Sequence, residues 1–161
     1  MAPIILSFRS IPDLSSPEWR AVGILEGHVE LDAGAEFDGL VSKDRDTLRT
    51  RMDRWCDGQL GPKAWFHNFD EQQYRECMVF KLKHHRFYGF KCHPLPISSP
   101  ELLLCVLTIH AIKREWETDQ AELDRVNQWR VNTGAQSAIA QVYSEYGRGR
   151  CSISRNQSRR K

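Results

Sequence analysis

Apolar and polar positions alternate most regularly in the middle of the chain. Over residues 76–84, Met78, Phe80 and Leu82 fall on one side and Val79, Lys81 and Lys83 on the other, the period-two pattern of a strand. Residues 86–93 predict a second strand, after a tight turn near His84-His85. Residues 102–112 are almost continuously apolar, which predicts a central strand covered on both faces. Pro94, Pro96 and Pro100, with Ser98 and Ser99, form the loop before it. Ile4 to Phe8 predicts a short opening strand.

Helical spacing is clearest at 44–57, where Leu48, Met52 and Trp55 share a face. Asp44 and Asp46 suit the positive end of that helix dipole, and Gly58 stops it. Its Arg45, Arg49, Arg51 and Arg54 make a basic face, either solvated or in contact with RNA. Gly61-Pro62 then breaks the chain. A second helix starts at Thr118 or Asp119, with Glu122 completing an Asp-x-x-Glu capping box, and carries Leu123, Val126, Trp129 and Arg130 at helical spacing. Asn132-Thr133-Gly134 ends it, and 135–146 predicts one more. Near the start, Ser16-Pro17-Glu18 has the form of a helix cap and first turn, predicting a helix that ends before Gly27. Gly23, Gly27, Gly34 and Gly39 obscure the pattern up to residue 43. From Gly147 the chain is polar and aperiodic and is expected to be disordered. The pattern therefore predicts one α+β domain over residues 1–146, followed by a tail over 147–161.

Charge changes this picture by its distribution. The 161 residues hold 23 basic and 21 acidic side chains, a net of +2. Six of the basic residues (Arg148, Arg150, Arg155, Arg159, Arg160 and Lys161) lie in the acid-free tail, so residues 1–146 carry 17 basic against 21 acidic and a net of −4. Between Cys77 and Pro100 there are 24 residues without Asp or Glu. Here Lys81, Lys83, His84, His85, Arg86, Lys91 and His93 interleave with Phe80, Phe87, Tyr88 and Phe90. Cations hold phosphates, rings stack on bases, and imidazoles move protons near neutral pH, so this stretch predicts a phosphate-handling surface.

The five cysteines are odd in number and widely spaced, and no secretory signal opens the chain. Nothing approaches the roughly 20 apolar residues of a membrane span, so a reducing cytoplasm with no membrane partner is expected. Cys77, His84, His85, Cys92, His93 and His110 would suit zinc by type. No Cys-x-x-Cys pair is present, however, and the adjacent Cys92 and His93 point to opposite faces of a strand, so no metal site is expected. Gly-rich phosphate loops, HExxH and nucleophile elbows are also absent from the sequence.

The order helix, three hairpin-connected strands, helix is similar to that of the RelE/ParE toxin superfamily. Tyr74-Arg75-Glu76-Cys77-Met78-Val79-Phe80-Lys81-Leu82-Lys83 resembles its first core strand, and His85-Arg86-Phe87-Tyr88-Gly89-Phe90 its following strand. Ile109-His110-Ala111-Ile112-Lys113-Arg114, followed by Glu117-Thr118-Asp119-Gln120-Ala121-Glu122, resembles the ending of the HigB-like, phage-derived branch. The match covers about residues 44–130. It implies a small antiparallel-rich sheet packed with helices, here with an extra C-terminal helix and a basic tail. It further implies a toxin of a type II toxin–antitoxin pair, a ribosome-dependent endoribonuclease that needs no metal or other cofactor. Such an enzyme cleaves mRNA on the ribosome by 2′-OH transphosphorylation and is neutralised by a cognate antitoxin protein. Tyr143 and Tyr146 match no C-terminal tyrosine motif of the family. That departure leaves open a non-catalytic, phage-related binding module on the same fold.

The resemblance implies catalytic roles for Lys81, Lys83, Arg86 and His110. Lys81 and Lys83, two apart on one strand, would clamp a phosphate, or they form a solvated strand face. Arg86 would stabilise transition-state charge, or it is structural. His110 is a base or a hydrogen-bonded core histidine. Candidate RNA contacts are His84 and His85 at the turn, Tyr88, Lys91, and Lys113-Arg114. The turn histidines are proton donors or simply exposed, Tyr88 stacks a base or packs the core, and Lys113-Arg114 is a basic rim or an exposed helix-entry pair.

Overall fold

The structure, a computed structural model, describes residues 3–10, 19–59, 61–92, 102–114 and 116–147. Its elements are β1 (Ile5–Ser10), β2 (Trp19–Glu26), α1 (Ala33–Asp38), α2 (Ser42–Cys56), β3 (Phe66–Asn68), β4 (Cys77–Leu82), β5 (His85–Cys92), β6 (Leu102–Ile112), α3 (Gln120–Arg130) and α4 (Thr133–Gly147). The strands form one six-stranded mixed sheet in the order β1-β2-β6-β5-β4-β3. All neighbours are antiparallel except β2 and β6. The fold is α+β, with helices on both faces of the sheet.

Alternation along each strand divides the core in two. Val22 and Ile24 of β2, Phe80 of β4, Phe87 of β5 and Leu107 of β6 pack under Phe37 of α1 and Leu48, Met52 and Trp55 of α2. Ala21 and Leu25, Val79, Tyr88 and Phe90, and Leu104 and Val106 face the other way, against Leu123, Val126 and Trp129 of α3 and Ile139 and Val142 of α4. Phe80, Phe87 and Phe90 are fully buried, and burial of such a side chain stabilises the fold by roughly 1.5–3 kcal/mol.

The predicted central strand 102–112 is β6, and the helices expected at 44–57, from 118 or 119, and at 135–146 are α2, α3 and α4. The helix expected to end before Gly27 is instead strand β2. Its residues pair in parallel with β6, from Trp19 opposite Leu102 to Ile24 opposite Leu107. Both faces of β2 are buried, so its apolar run has no clear period, and its ladder bonds come from β1 and from a strand about eighty residues later. The proposed cap at Ser16-Pro17-Glu18, the proline loop at 93–101 and the tail at 148–161 lie outside the described residues. Helix α1 and strand β3 had no readable signal.

One irregularity determines what β6 presents. Tyr88 pairs with Ile109 but the next residue, Gly89, pairs with Leu107, leaving Thr108 as an extra residue on β6. The Thr108 hydroxyl donates to the Tyr88 carbonyl at 3.2 Å, which satisfies it within the buried bulge.

Candidate nucleic-acid interface

The β4–β5 hairpin sets the site. Leu82 pairs with His85 across a two-residue turn, Lys83-His84, and the register places Lys81 directly opposite Arg86. Cross-strand partners project from the same face, so the two cations lie together on the side of the sheet that carries α3. Lys83 does not continue the strand with Lys81, as its spacing had predicted. It occupies the turn at a φ of +54°, and its ammonium meets Asp44 of α2 at 3.1 Å.

β6 ends beside Arg86, which pairs with Ala111, and the chain leaves through Lys113 and Arg114. Arg51 reaches in from α2 and donates to the Lys81 carbonyl at 2.5 Å. Lys63 and Trp65 come from the segment before β3. These residues enclose a cleft of about 500 Å³ that is lined by seven basic side chains and two acidic ones, Glu117 and Asp119. Such a lining raises the local concentration of polyanions.

The cations differ in how firmly they are held. Arg86 is only 7% exposed, and its Nη1 donates to the carbonyls of Lys83 at 2.8 Å and His85 at 3.0 Å. It therefore braces the hairpin turn as well as lining the cleft. Lys113 pairs with Glu122 at 2.8 Å. That pairing draws Glu122 out of the expected capping box, and the α3 N-cap residue Asp119 makes no side-chain cap bond either. The Asp119 carboxylate instead accepts a short hydrogen bond from the Tyr88 hydroxyl and stands in the cleft wall. Burial, reinforced by Asp119, pushes the Tyr88 phenol far above its ordinary pKa, so it remains a donor. Burial also lowers the pKa of Arg51 from the usual 12.5.

Of the residues singled out from sequence, Lys81, Lys83, Arg86, Lys113 and Arg114 converge on this cleft. Tyr88 does not present its ring to a base: it is fully buried, and only its hydroxyl reaches Asp119. His84 is exposed in the turn, and its carbonyl accepts the Lys113 amide at 2.8 Å. Lys91 lies further along β5, with Nζ on the Asn68 side chain at 2.7 Å. His93 is outside the described residues.

His85 and His110 are on the opposite face from the Lys81-Arg86 pair. The half-buried His110 ring lies tilted against Phe87, 4.8 Å between centroids, and its Nε2 is 2.9 Å from His85 Nδ1. The bulge is the cause. With unbroken pairing His110 would sit opposite Arg86; the extra Thr108 puts it opposite Phe87 and turns its ring away. Among the described residues, no group of three His, Cys, Asp or Glu side chains could hold a metal. Among the same residues, no helix is long and apolar enough to cross a membrane.

Burial, with help from His85, lowers the His110 pKa below the ordinary 6.5, against the opposing pull of Glu36 and Asp32. The folded protein therefore binds this proton less readily than the unfolded chain. Stability is full above about pH 6.5 and falls as the pH drops from there through the folded pKa. His67, also lowered by burial, acts in the same direction. The urea midpoint is expected to be lower at pH 5.5 than at pH 7.5, with a smaller difference in His110→Gln. An equal difference in the variant would remove His110 as a cause.

Sequence reading missed Lys63, Trp65 and the carboxylate of Asp119, and left Arg51 undecided. Arg51 belonged to a recognised basic helix face, but Lys63 and Trp65 sit in an aperiodic segment with no local signal. No protein-family model, curated protein or solved structure matches this chain.

Proposed function

We propose that this protein is a RelE/HigB-like toxin that cleaves mRNA on the ribosome, with the basic cleft as the site of the scissile phosphate. The observation that carries this reading is the convergence of Lys81, Arg86, Lys113 and Arg114, from three separate segments, on one concavity. The stretch from α2 to α3 holds, in order, the helix, three hairpin-connected strands and helix that the resemblance implies, with β3 inserted before β4.

Transphosphorylation needs a base for the ribose 2′-OH, cations for the phosphorane charge and an acid for the 5′-oxygen. Asp119, held by the Tyr88 hydroxyl, takes the 2′-OH proton. The 2′-oxygen then attacks phosphorus while Arg86 and Arg114 stabilise the charge on the equatorial oxygens. The P–O5′ bond breaks and Lys81 protonates the departing oxygen, leaving a 2′,3′-cyclic phosphate and a 5′-OH. No metal enters these steps. A cognate antitoxin would neutralise the toxin by covering the cleft, for which an acidic segment is the complement.

Induction in cells tests this. Wild type is expected to produce new mRNA 5′ ends within translated codons, and Lys81→Ala/Arg114→Ala to reduce them by at least about 100-fold, the scale of one lost transition-state donor. Arg86 is left intact because it braces the turn. Undiminished cleavage by the double variant would remove the cleft as the site.

The second reading is a non-catalytic module that binds RNA through the same cleft. The placement of His85 and His110 on the other face favours it, because it leaves no described imidazole in the cleft lining. Soluble, folded protein that binds RNA but yields no new ends in cells would select it.

A further inference from the structure

Between two residues of the cleft wall, Arg114 and Glu117, the chain carries a side chain that phosphate binding alone does not use. Trp116 is 76% exposed, although Trp is the costliest side chain to leave in water by apolar area. It lies inside a turn closed twice, by the Glu117 amide on the Arg114 carbonyl at 3.0 Å and by the Arg114 amide on Glu117 Oε1 at 3.1 Å. Arg114 and Glu117 both line the cleft. Trp116 is thus carried by a turn whose two ends form part of the cleft wall.

Trp65, which lines the cleft, contrasts with it. Trp65 has the guanidinium groups of Arg51 and Arg54 over its ring at 5.3 and 5.4 Å. No ring or guanidinium of the described residues stacks on Trp116. Cations that follow a backbone, with an aromatic face beside them, are the combination that holds unpaired nucleic acid: phosphates lie along the charges and a base lies on the ring. In a duplex the bases are already stacked and paired, so the indole has nothing to receive. The volume of about 500 Å³ suits a small ligand and not a helix.

We infer that the cleft binds single-stranded RNA, with one base stacked on Trp116. This rests on the reading of the cleft as an RNA site but not on cleavage. The base next to the phosphate held by Lys81 and Arg114 is the one that reaches the rim. Stacking on a π-face is tolerant of sequence, so Trp116 selects for strandedness and not for base identity.

Binding of fluorescein-labelled 2′-O-methyl RNA, which lacks the attacking hydroxyl, reads this apart from chemistry. The wild type is expected to bind an unstructured octamer at least about tenfold tighter than the same sequence in a hairpin stem. Trp116→Leu, which keeps apolar area but not the π-face, is expected to lose about tenfold on the octamer and nothing on the stem, the scale of one lost stacking contact. Trp116→Phe is expected to stay within about threefold of wild type. Equal affinity for strand and stem, or a Trp116→Leu variant that binds like wild type, would overturn the inference. Trp116-dependent binding by a protein that never cleaves would leave it standing and remove the nuclease reading. A Trp116→Leu variant whose affinity falls only for protein partners would assign the indole to protein docking and overturn it.

Discussion

Asp119→Asn is expected to slow mRNA cleavage by about 10²–10⁴-fold, the range lost when a positioned general base is removed. Asn retains an oxygen that can accept the Tyr88 hydroxyl, so the hydrogen bond that orients the side chain survives. It cannot take up a proton, so the substitution deletes the base. The loss of a negative charge from a cleft already rich in cations leaves RNA affinity unchanged or higher. A single-turnover cleavage assay on translating ribosomes, beside RNA binding and thermal unfolding, separates these effects. Cleavage at the wild-type rate would exclude Asp119 as the base and transfer the question to Glu117, the other carboxylate of the cleft. Tyr88→Phe is a weaker test of the same arrangement: the carboxylate remains but loses its support, so a smaller loss is expected.

The largest effect on folding is expected at Gly89→Ala. A Cβ at this position would lie 2.3 Å from the Val106 carbonyl oxygen and 2.8 Å from Leu107 Cα. Both obstacles are backbone of β6, the central strand, so neither can rotate aside. Relief requires β5 and β6 to separate at the bulge, where the register shifts between Tyr88 and Gly89. Overpacking in a core costs typically 1–3 kcal/mol, and a clash with backbone belongs at or above the upper end, about 3 kcal/mol. For a domain of this size that lowers Tm by roughly 6–12 °C. A thermal shift below about 3 °C would mean that the sheet yields here at little cost. The cleft would also suffer, because Tyr88 and Arg86 hang from β5 and Lys113-Arg114 follow β6.

Much of the framework was legible locally. β4 and β5 advertise themselves by alternation, β6 by continuous apolar sequence, and α2, α3 and α4 by helical spacing with polar stops. The cleft was partly legible too. Lys81 and Arg86 become neighbours as soon as the turn is placed at Lys83-His84, and Lys113-Arg114 must follow the end of β6. What misled was competition for the same side chains. Asp119 and Glu122 have the spacing of a capping box, yet Tyr88 and Lys113 engage them instead. Lys83 has the spacing to share a face with Lys81, yet the hairpin turns at it.

The sequence by itself determined the α+β class, the three-strand meander, most of the helices and the concentration of cations at one hairpin. These follow from periodicity and charge, which act over a few residues. Tertiary structure alone decided that residues 19–26 form a strand, because the bonds that make them one come from β1 and β6. It also decided the face on which His110 lies. An almost continuous apolar strand carries no alternation to mark a slipped register, so one extra residue, Thr108, placed His110 on the face opposite the Lys81-Arg86 pair. The acidic member of the cleft came from the same level of structure, through a tyrosine hydroxyl and a carboxylate that are 31 residues apart in the chain.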